Sequence, residues 1–156
     1  MSVELREVEP DDLPLFFEHQ LDPEASEMAV FPSREREAFM SHWAKVLADE
    51  TNLTRTVLAD GEVAGNVVSF DRLGEREVGY WIGRDHWGKG IATAALAAFL
   101  LQDRTRPLTA RVATTNVGSI RVLEKCGFIV VDTDDEDPDP LGDGVEETVL
   151  RLYAGP

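Results

Sequence analysis

The sequence predicts a mixed α+β domain. Three β-branched runs in mid-chain are separated by tight-turn signals, helical stretches alternate with strands behind them, and 156 residues is the size of one ordinary domain. Val3, Leu5 and Val8 predict a short opening strand. Glu9-Pro10-Asp11-Asp12 is a loop running into a helix, with Asp11 or Asp12 as its cap, Pro14 in its first turn, and Leu13, Phe16 and Phe17 turned toward a core. Pro32-Ser33 predicts a second helix start with Ser33 as cap. Phe39, Trp43, Val46 and Leu47 follow at helical spacing, and Thr51 or Asn52 ends the helix. Thr54 to Ala59 and Val63 to Phe70 are strands joined by an Asp60-Gly61 hairpin, and Leu73-Gly74-Glu75 turns into a third strand, Glu77 to Ile82.

The pattern then changes. Gly88 to Leu101 reads as an Ala- and Leu-rich helix, Leu108 to Ala113 as a strand behind Pro107, and Asn116 to Lys125 as a shorter helix stopped by Gly127. Phe128 to Val131 and Val145 to Tyr153 are the last strands, separated by an acidic Pro/Gly segment. The order β-α-α-β-β-β-α-β-α-β-β contains no repeat and no linker, so residues 1–156 are expected to form a single domain.

Composition narrows the function classes. Hydrophobic residues at 43% and charged residues at 29% are those of a globular protein, not a disordered one. The single cysteine, Cys126, permits no internal disulfide and no thiolate metal cluster. His19, His42 and His86 lack metal-ligand spacing, so no metal is expected. No apolar run approaches the roughly 20 residues that span a membrane, and Met1-Ser2-Val3-Glu4 has no signal-peptide character. A cytoplasmic protein with no membrane partner is the expectation.

The net charge of −15 argues against nucleic acid. That charge is uneven: residues 1–28 and 131–156 each carry −8, whereas residues 73–130 carry +3. A mildly basic stretch kept inside an acidic protein suits a polyanionic small molecule.

The chemically richest segment, Gly83-Arg84-Asp85-His86-Trp87-Gly88-Lys89-Gly90-Ile91-Ala92-Thr93, joins a predicted strand to a helix N-terminus. Glycines let backbone N–H groups converge on an anion, and a helix start adds unpaired donors and the positive dipole end, so phosphate is the natural guest. Two phosphate motifs fail. The pattern G-x-x-x-x-G-K-[ST] runs from Gly83 to Lys89 but ends on Gly90, without the hydroxyl that holds magnesium. The dinucleotide pattern G-x-G-x-x-G takes Gly88 and Gly90 but meets Thr93 at the third glycine.

Arg84 through Ala92 instead resembles the pyrophosphate loop of the GNAT superfamily of N-acetyltransferases, whose core is Q/R-x-x-G-x-G/A, preceded by the strand Glu77-Val78-Gly79-Tyr80-Trp81-Ile82. A second block, Asn116-Val117-Gly118-Ser119-Ile120-Arg121-Val122-Leu123-Glu124-Lys125-Cys126-Gly127-Phe128, resembles the N-x-x-S-x-R-V-L-E-K-x-G-F segment of the branch that includes the ribosomal-protein alanine N-acetyltransferases. The resemblance is sharp from Glu77 to Phe128 and only architectural before it.

The resemblance implies a mostly antiparallel central sheet with helices on both faces and a splayed strand pair, here Glu77–Ile82 and Leu108–Ala113. Acetyl-CoA would be the co-substrate, lying in the splay. Its pantetheine arm would pair with backbone at Tyr80, Trp81 and Ile82. Its pyrophosphate would sit on the N–H groups of Trp87, Gly88, Lys89, Gly90, Ile91, Ala92 and Thr93. Asn116 would hydrogen-bond the pantetheine, and Ser119 would lie near the sulfur. Glu77 matches the family's frequent glutamate base, for direct attack by a primary amine in a ternary complex. Many relatives place a tyrosine in the second block where this chain has Leu123, which leaves Ser119 to donate to the leaving thiolate or to orient the thioester.

Each assignment has a plainer alternative. Lys89 is either a phosphate contact or a solvated charge, Glu77 a base or a strand-edge carboxylate, and Ser119 a cofactor contact or a local helix hydrogen-bonder. Phe39 and Trp43 are core residues or line the acceptor pocket, and Cys126 is a small buried residue. The segment Asp132 to Glu147, with 9 carboxylates, is either a solvated surface or a funnel for a cationic acceptor. A non-catalytic acyl-CoA-binding sensor on the same fold is the rival reading. The acceptor and the oligomeric state, a homodimer included, are left open.

Overall fold

The opening strand β1 (Val3–Arg6) pairs antiparallel with β2 (Leu53–Ala59), which continues through β3 (Glu62–Arg72) into β4 (Glu75–Ile82). The computed structural model describes residues 2–29, 34–131 and 147–154. The expected Ser33 cap, and the acidic segment apart from Glu147, lie outside the described residues. Both hairpins behave as their turn residues require: Asp60 and Gly61 have φ of 51° and 83°, and Leu73 and Gly74 have 52° and 79°, the left-handed pairs that match strand twist.

The second wing contains β5 (Leu108–Ala113), β6 (Ile129–Val131) and β7 (Glu147–Leu152), giving the sheet order β1-β2-β3-β4-β5-β7-β6. Every neighbouring pair is antiparallel except β4 and β5, which run parallel. The β3–β4 ladder holds from Arg72↔Glu75 to Gly65↔Ile82, whereas β4 and β5 meet in register at Glu77↔Thr109. Beyond that point β4 has a partner on one edge only, and the sheet opens into a V.

Helices α1 (Leu13–Leu21), α2 (Pro23–Ala29) and α3 (Arg36–Ala48) precede β2, α4 (Ile91–Gln102) links β4 to β5, and α5 (Val117–Lys125) links β5 to β6. Helices cover both faces, each over its own core. On one face α4 buries Ile91, Ala95, Leu96, Phe99 and Leu100, one stripe of the helix, against Val67, Val78, Ile82 and Leu108, with Leu123 of α5 beside them. On the other, Phe16 of α1 packs with Phe39 and Trp43 of α3, joined by partly buried Val63 and Val68. Phe39 and Trp43 are therefore core residues.

Three elements differ from the sequence expectation. Helix α2 was not expected. Its start is nevertheless encoded, because the Asp22 carboxylate accepts from the Glu24 N–H at 2.9 Å and Pro23 is the first helical residue. Asp12 does not cap α1 with its side chain. It is buried and accepts from both Arg6 guanidinium nitrogens at 2.7 and 2.8 Å, from the Glu9 N–H at 2.8 Å and from the Thr56 hydroxyl at 2.7 Å, which ties β1 and β2 to the entry of α1. The helix expected from Gly88 starts at Ile91, because Gly88 and Gly90 have φ of 75° and 77°, outside the helical region.

Candidate active site

A cleft of about 490 Å³ opens where β4 and β5 diverge, between the N-terminal end of α4 and one face of α5. Its floor comes from Tyr80, Trp81 and Ile82 of β4, one wall from the glycine loop and the first turn of α4, and the other from α5. Of the residues predicted as a cofactor site, Tyr80, Trp81, Ile82, Trp87, Gly88, Gly90, Ile91, Ala92, Thr93, Asn116 and Ser119 all line it. Lys89 is exposed and does not, and neither does Glu77.

The loop is shaped by its glycines. Gly90 is the N-cap position of α4 in left-handed conformation, and a Cβ there would meet nothing within 4 Å, so glycine is needed for φ rather than for space. The Trp87 indole N–H donates to the Ile82 carbonyl at 2.8 Å and pins the loop back on β4. That bond changes one expectation. The Ile82 carbonyl is engaged, and the Trp81 carbonyl lies against Gly65 of β3, where any Cβ would collide with it. Strand alternation then turns the backbone groups of Tyr80 toward the open edge, so of the three expected backbone contacts Tyr80 is the best placed. The Asn116 side chain also shapes the fold, because its oxygen accepts from the Ser119 N–H at 3.3 Å and caps α5.

The register of the loop also needs correcting. Counting back from Gly88, the position given to Gln or Arg in Q/R-x-x-G-x-G/A is Asp85. Arg84 stands one residue earlier and pairs with Glu24 at 2.6 Å and Asp22 at 3.6 Å, linking the loop to α2, whose Ala25 reaches the cleft.

Ser119 and Tyr80 meet inside the cleft, with the Tyr80 hydroxyl 2.6 Å from Ser119 Oγ and 3.3 Å from the Ser119 carbonyl oxygen. Burial pushes the Tyr80 phenol up to about 12. Neither the pairing nor the cleft position of Lys125 was foreseen. Ser119, Val122 and Lys125 recur every third residue of α5 and so share the face that lines the cleft, a spacing signal present in the sequence. Leu123, by contrast, is fully buried in the core. Cys126 is half-buried with Sγ 3.7 Å from the Thr93 carbonyl, and burial raises its thiol pKa.

Glu77 sits at the foot of the V on the opposite face of β4 from Tyr80, about 10 Å along the strand. It is 4% exposed, with Arg72 at 3.4 Å and Arg111 at 3.6 Å. Arg111 and Arg151 reach Glu75 at 3.3 and 2.6 Å, and Glu147 lies 4.0 Å from Arg111, so Glu77 belongs to a partly buried cluster of three carboxylates and three guanidinium groups. Burial pushes its carboxyl up from the ordinary value, while the two guanidinium groups pull it down. Between Glu77 and Trp81 on this face stands Gly79, where an added Cβ would meet nothing within 4 Å, leaving an open lane over the strand.

A family model described as an acetyltransferase (GNAT) domain matches residues 2–129. The chain belongs to the GNAT acetyltransferase family. One GNAT relative, "Putative ribosomal N-acetyltransferase YdaF" of Bacillus subtilis (strain 168), is 30% identical over 101 residues, covering 60% of this chain and 55% of that protein. The alignment thus spans little more than half of that relative's length. An acetyltransferase from Agrobacterium tumefaciens shares the GNAT fold with a TM-score of 0.79 at 21% identity, over 97% of this chain and 91% of that one. So does spermidine N-acetyltransferase from Vibrio cholerae, solved with CoA and spermine, with a TM-score of 0.75 at 19% identity over 97% and 94%. The parallel β4–β5 pair that meets at one register position and then parts is the splayed pair expected for a GNAT sheet. Among the described residues no group of three or more His, Cys, Asp or Glu is placed to hold a metal, and no helix is long and apolar enough to cross a membrane.

Proposed function

We propose that this protein is an acetyl-CoA-dependent N-acetyltransferase that transfers the acetyl group to a primary amine by direct attack in a ternary complex. The observation that carries the reading is the cleft itself. It runs from the glycine loop at the N-terminus of α4 to a polar pair at Tyr80 and Ser119, along the backbone edge that β4 exposes where β5 leaves it. Pyrophosphate would lie on the N–H groups around Gly88 to Thr93, with Lys125 as the nearby cation, and the acetyl thioester would reach Ser119.

The amine would approach over Gly79 from the side of α1 and α3. Its nitrogen attacks the thioester carbonyl, the C–N bond forms, the C–S bond breaks and the electron pair stays on sulfur. Glu77 takes the proton that the amine loses, through water along the Gly79 lane, since 10 Å of strand forbids direct contact with a substrate at Tyr80. Holding amine and thioester in line lowers the barrier further, because the attack becomes effectively unimolecular.

The acceptor is proposed to be cationic, either a small amine or a peptide or protein N-terminus. The strongly acidic segments at residues 1–28 and 131–156 support this, as does the likeness to a spermidine N-acetyltransferase. The name of the Bacillus subtilis relative supports the N-terminal variant. Thiol release from acetyl-CoA across a panel of amines and peptides, followed by mass spectrometry of the products, tests the reading. Release with a cationic amine and a product heavier by one acetyl group is expected. CoA binding with no thiol release for any acceptor would favour the sensor instead.

A further inference from the structure

Leu123 stands where the family resemblance leads one to look for a tyrosine, and its side chain is fully buried in the core, so no phenol reaches the cleft from α5. One reaches it from β4. Tyr80 crosses the opening of the V and sets its hydroxyl 2.6 Å from Ser119 Oγ, and both residues line the cleft. A serine hydroxyl has one hydrogen to give and two lone pairs, and in a helix it turns readily to a carbonyl of the preceding turn. The phenol has one hydrogen, and Ser119 Oγ at 2.6 Å is a nearer acceptor for it than the Ser119 carbonyl at 3.3 Å. Donated to Oγ, it occupies a lone pair and leaves the serine hydrogen free to point into the cleft. Donation into that oxygen also strengthens the hydrogen bond the serine makes onward.

We propose that Tyr80 and Ser119 act as one hydrogen-bonding unit that stabilises the thiolate leaving the acetyl thioester, Ser119 touching the sulfur and Tyr80 serving as the positioning residue behind it. This rests on the reading of the cleft as the acetyl-CoA site. The unit lends hydrogen bonds and transfers no proton. A phenol held up at about 12 does not surrender its proton to a thiolate, the anion of a much stronger acid. The C–S electron pair leaves on sulfur, the amine's proton departs through Glu77 and water, and CoA collects a proton from solvent after release. The tyrosine missing from α5 is thus replaced by a tyrosine from the neighbouring strand, acting through a serine.

The test is binding of CoA and of desulfo-CoA, which lacks the sulfur, by calorimetry from about pH 6.5 to 9.5. A site that stabilises the thiolate lowers the thiol pKa of bound CoA. CoA should therefore tighten relative to desulfo-CoA as pH rises through the bound pKa, by about tenfold in full, with the gain complete above the free thiol's pKa. Tyr80→Phe and Ser119→Ala should reduce that gain below about threefold, while Ser119→Thr, which keeps a hydroxyl, retains it. Each protein's own desulfo-CoA affinity is the reference for its gain, so a variant that merely loosens the cleft shifts both compounds alike and is told apart from one that loses the thiolate contact. The proposal is overturned if Tyr80→Phe keeps the full gain, if the unaltered protein shows none, or if Tyr80→Phe weakens CoA and desulfo-CoA alike at every pH. If the unaltered protein binds neither compound, the acetyl-CoA reading itself fails, and the proposal with it.

Discussion

Glu77 and Thr109 form the register pair at which the parallel strands β4 and β5 touch, and the cleft opens directly beyond them. The vertex of the V therefore carries a buried carboxylate held between Arg72 and Arg111. If that carboxylate accepts the amine's proton, Glu77→Gln lowers turnover by about 10²-fold or more and leaves CoA affinity unchanged. Burial raises the Glu77 pKa, and a base must be ionised, so the acid limb of the pH–rate profile should lie above the ordinary carboxylate range and vanish in the variant. An identical acid limb in both proteins would assign the proton to another group.

Gly79 leaves open space between Glu77 and Trp81 on the face opposite Tyr80. Gly79→Val, a strand-compatible substitution, should fill that lane. Steady-state kinetics should show the specificity constant for the amine reduced about tenfold with CoA affinity held within about twofold. Equal losses for both substrates would mean that the strand itself has been disturbed.

Gly90 caps α4 at φ 77° with free space around the position of a Cβ. Gly90→Ala tests conformation alone and should cost about 1 kcal/mol of stability. Gly90→Glu adds a carboxylate beside the expected pyrophosphate and should weaken CoA binding by at least about tenfold, or 1.4 kcal/mol. Wild-type CoA affinity in a folded Gly90→Glu protein would remove the phosphate from this loop.

Burial works against ionisation of Asp12, but the hydrogen bonds from Arg6, the Glu9 N–H and the Thr56 hydroxyl prevail and hold its carboxyl down at about 2. A depressed carboxylate stabilises the fold fully above its unfolded pKa, and that contribution is lost as pH falls through the folded value. Asp12 should therefore contribute about 2 kcal/mol at neutral pH, fading between about pH 4 and 2. Denaturant unfolding of Asp12→Asn should show a deficit at pH 7 that shrinks over that range. A deficit independent of pH would mean that packing, not charge, is what the substitution removes.

For a cationic acceptor, long-range attraction to the acidic termini is screened beyond about 8–10 Å at physiological salt. The specificity constant for a dicationic amine should fall with added salt more steeply than that for a monocationic one. Neutralising Asp134, Asp135, Glu136 and Asp137 together should flatten the difference without touching CoA affinity. A panel that prefers neutral or anionic acceptors would leave those carboxylates no part in recognition.

The strand boundaries, both hairpins and the glycine loop were legible in the sequence because each depends on local chemistry. Asp-Gly and Leu-Gly adopt left-handed turns, and β-branched runs extend. The Asp22-Pro23-Glu24 start of α2, the Asn116 cap on the N–H three residues on, and the three-residue stripe that brings Lys125 to the cleft were equally local, and went unread. Tertiary structure alone decided the rest. Asp12 turned from a helix cap into the partner of Arg6 and Thr56, which is 44 residues away. Glu77 was placed between arginines of β3 and β5 because those two strands flank β4 at its foot. Tyr80 and Ser119, 39 residues apart, came within 2.6 Å because β5 leaves β4 after one register pair and α5 forms a wall of the gap. Sequence spacing sets which neighbours a residue has along its own element, and only the packing of elements sets which side chains meet across a sheet that splits.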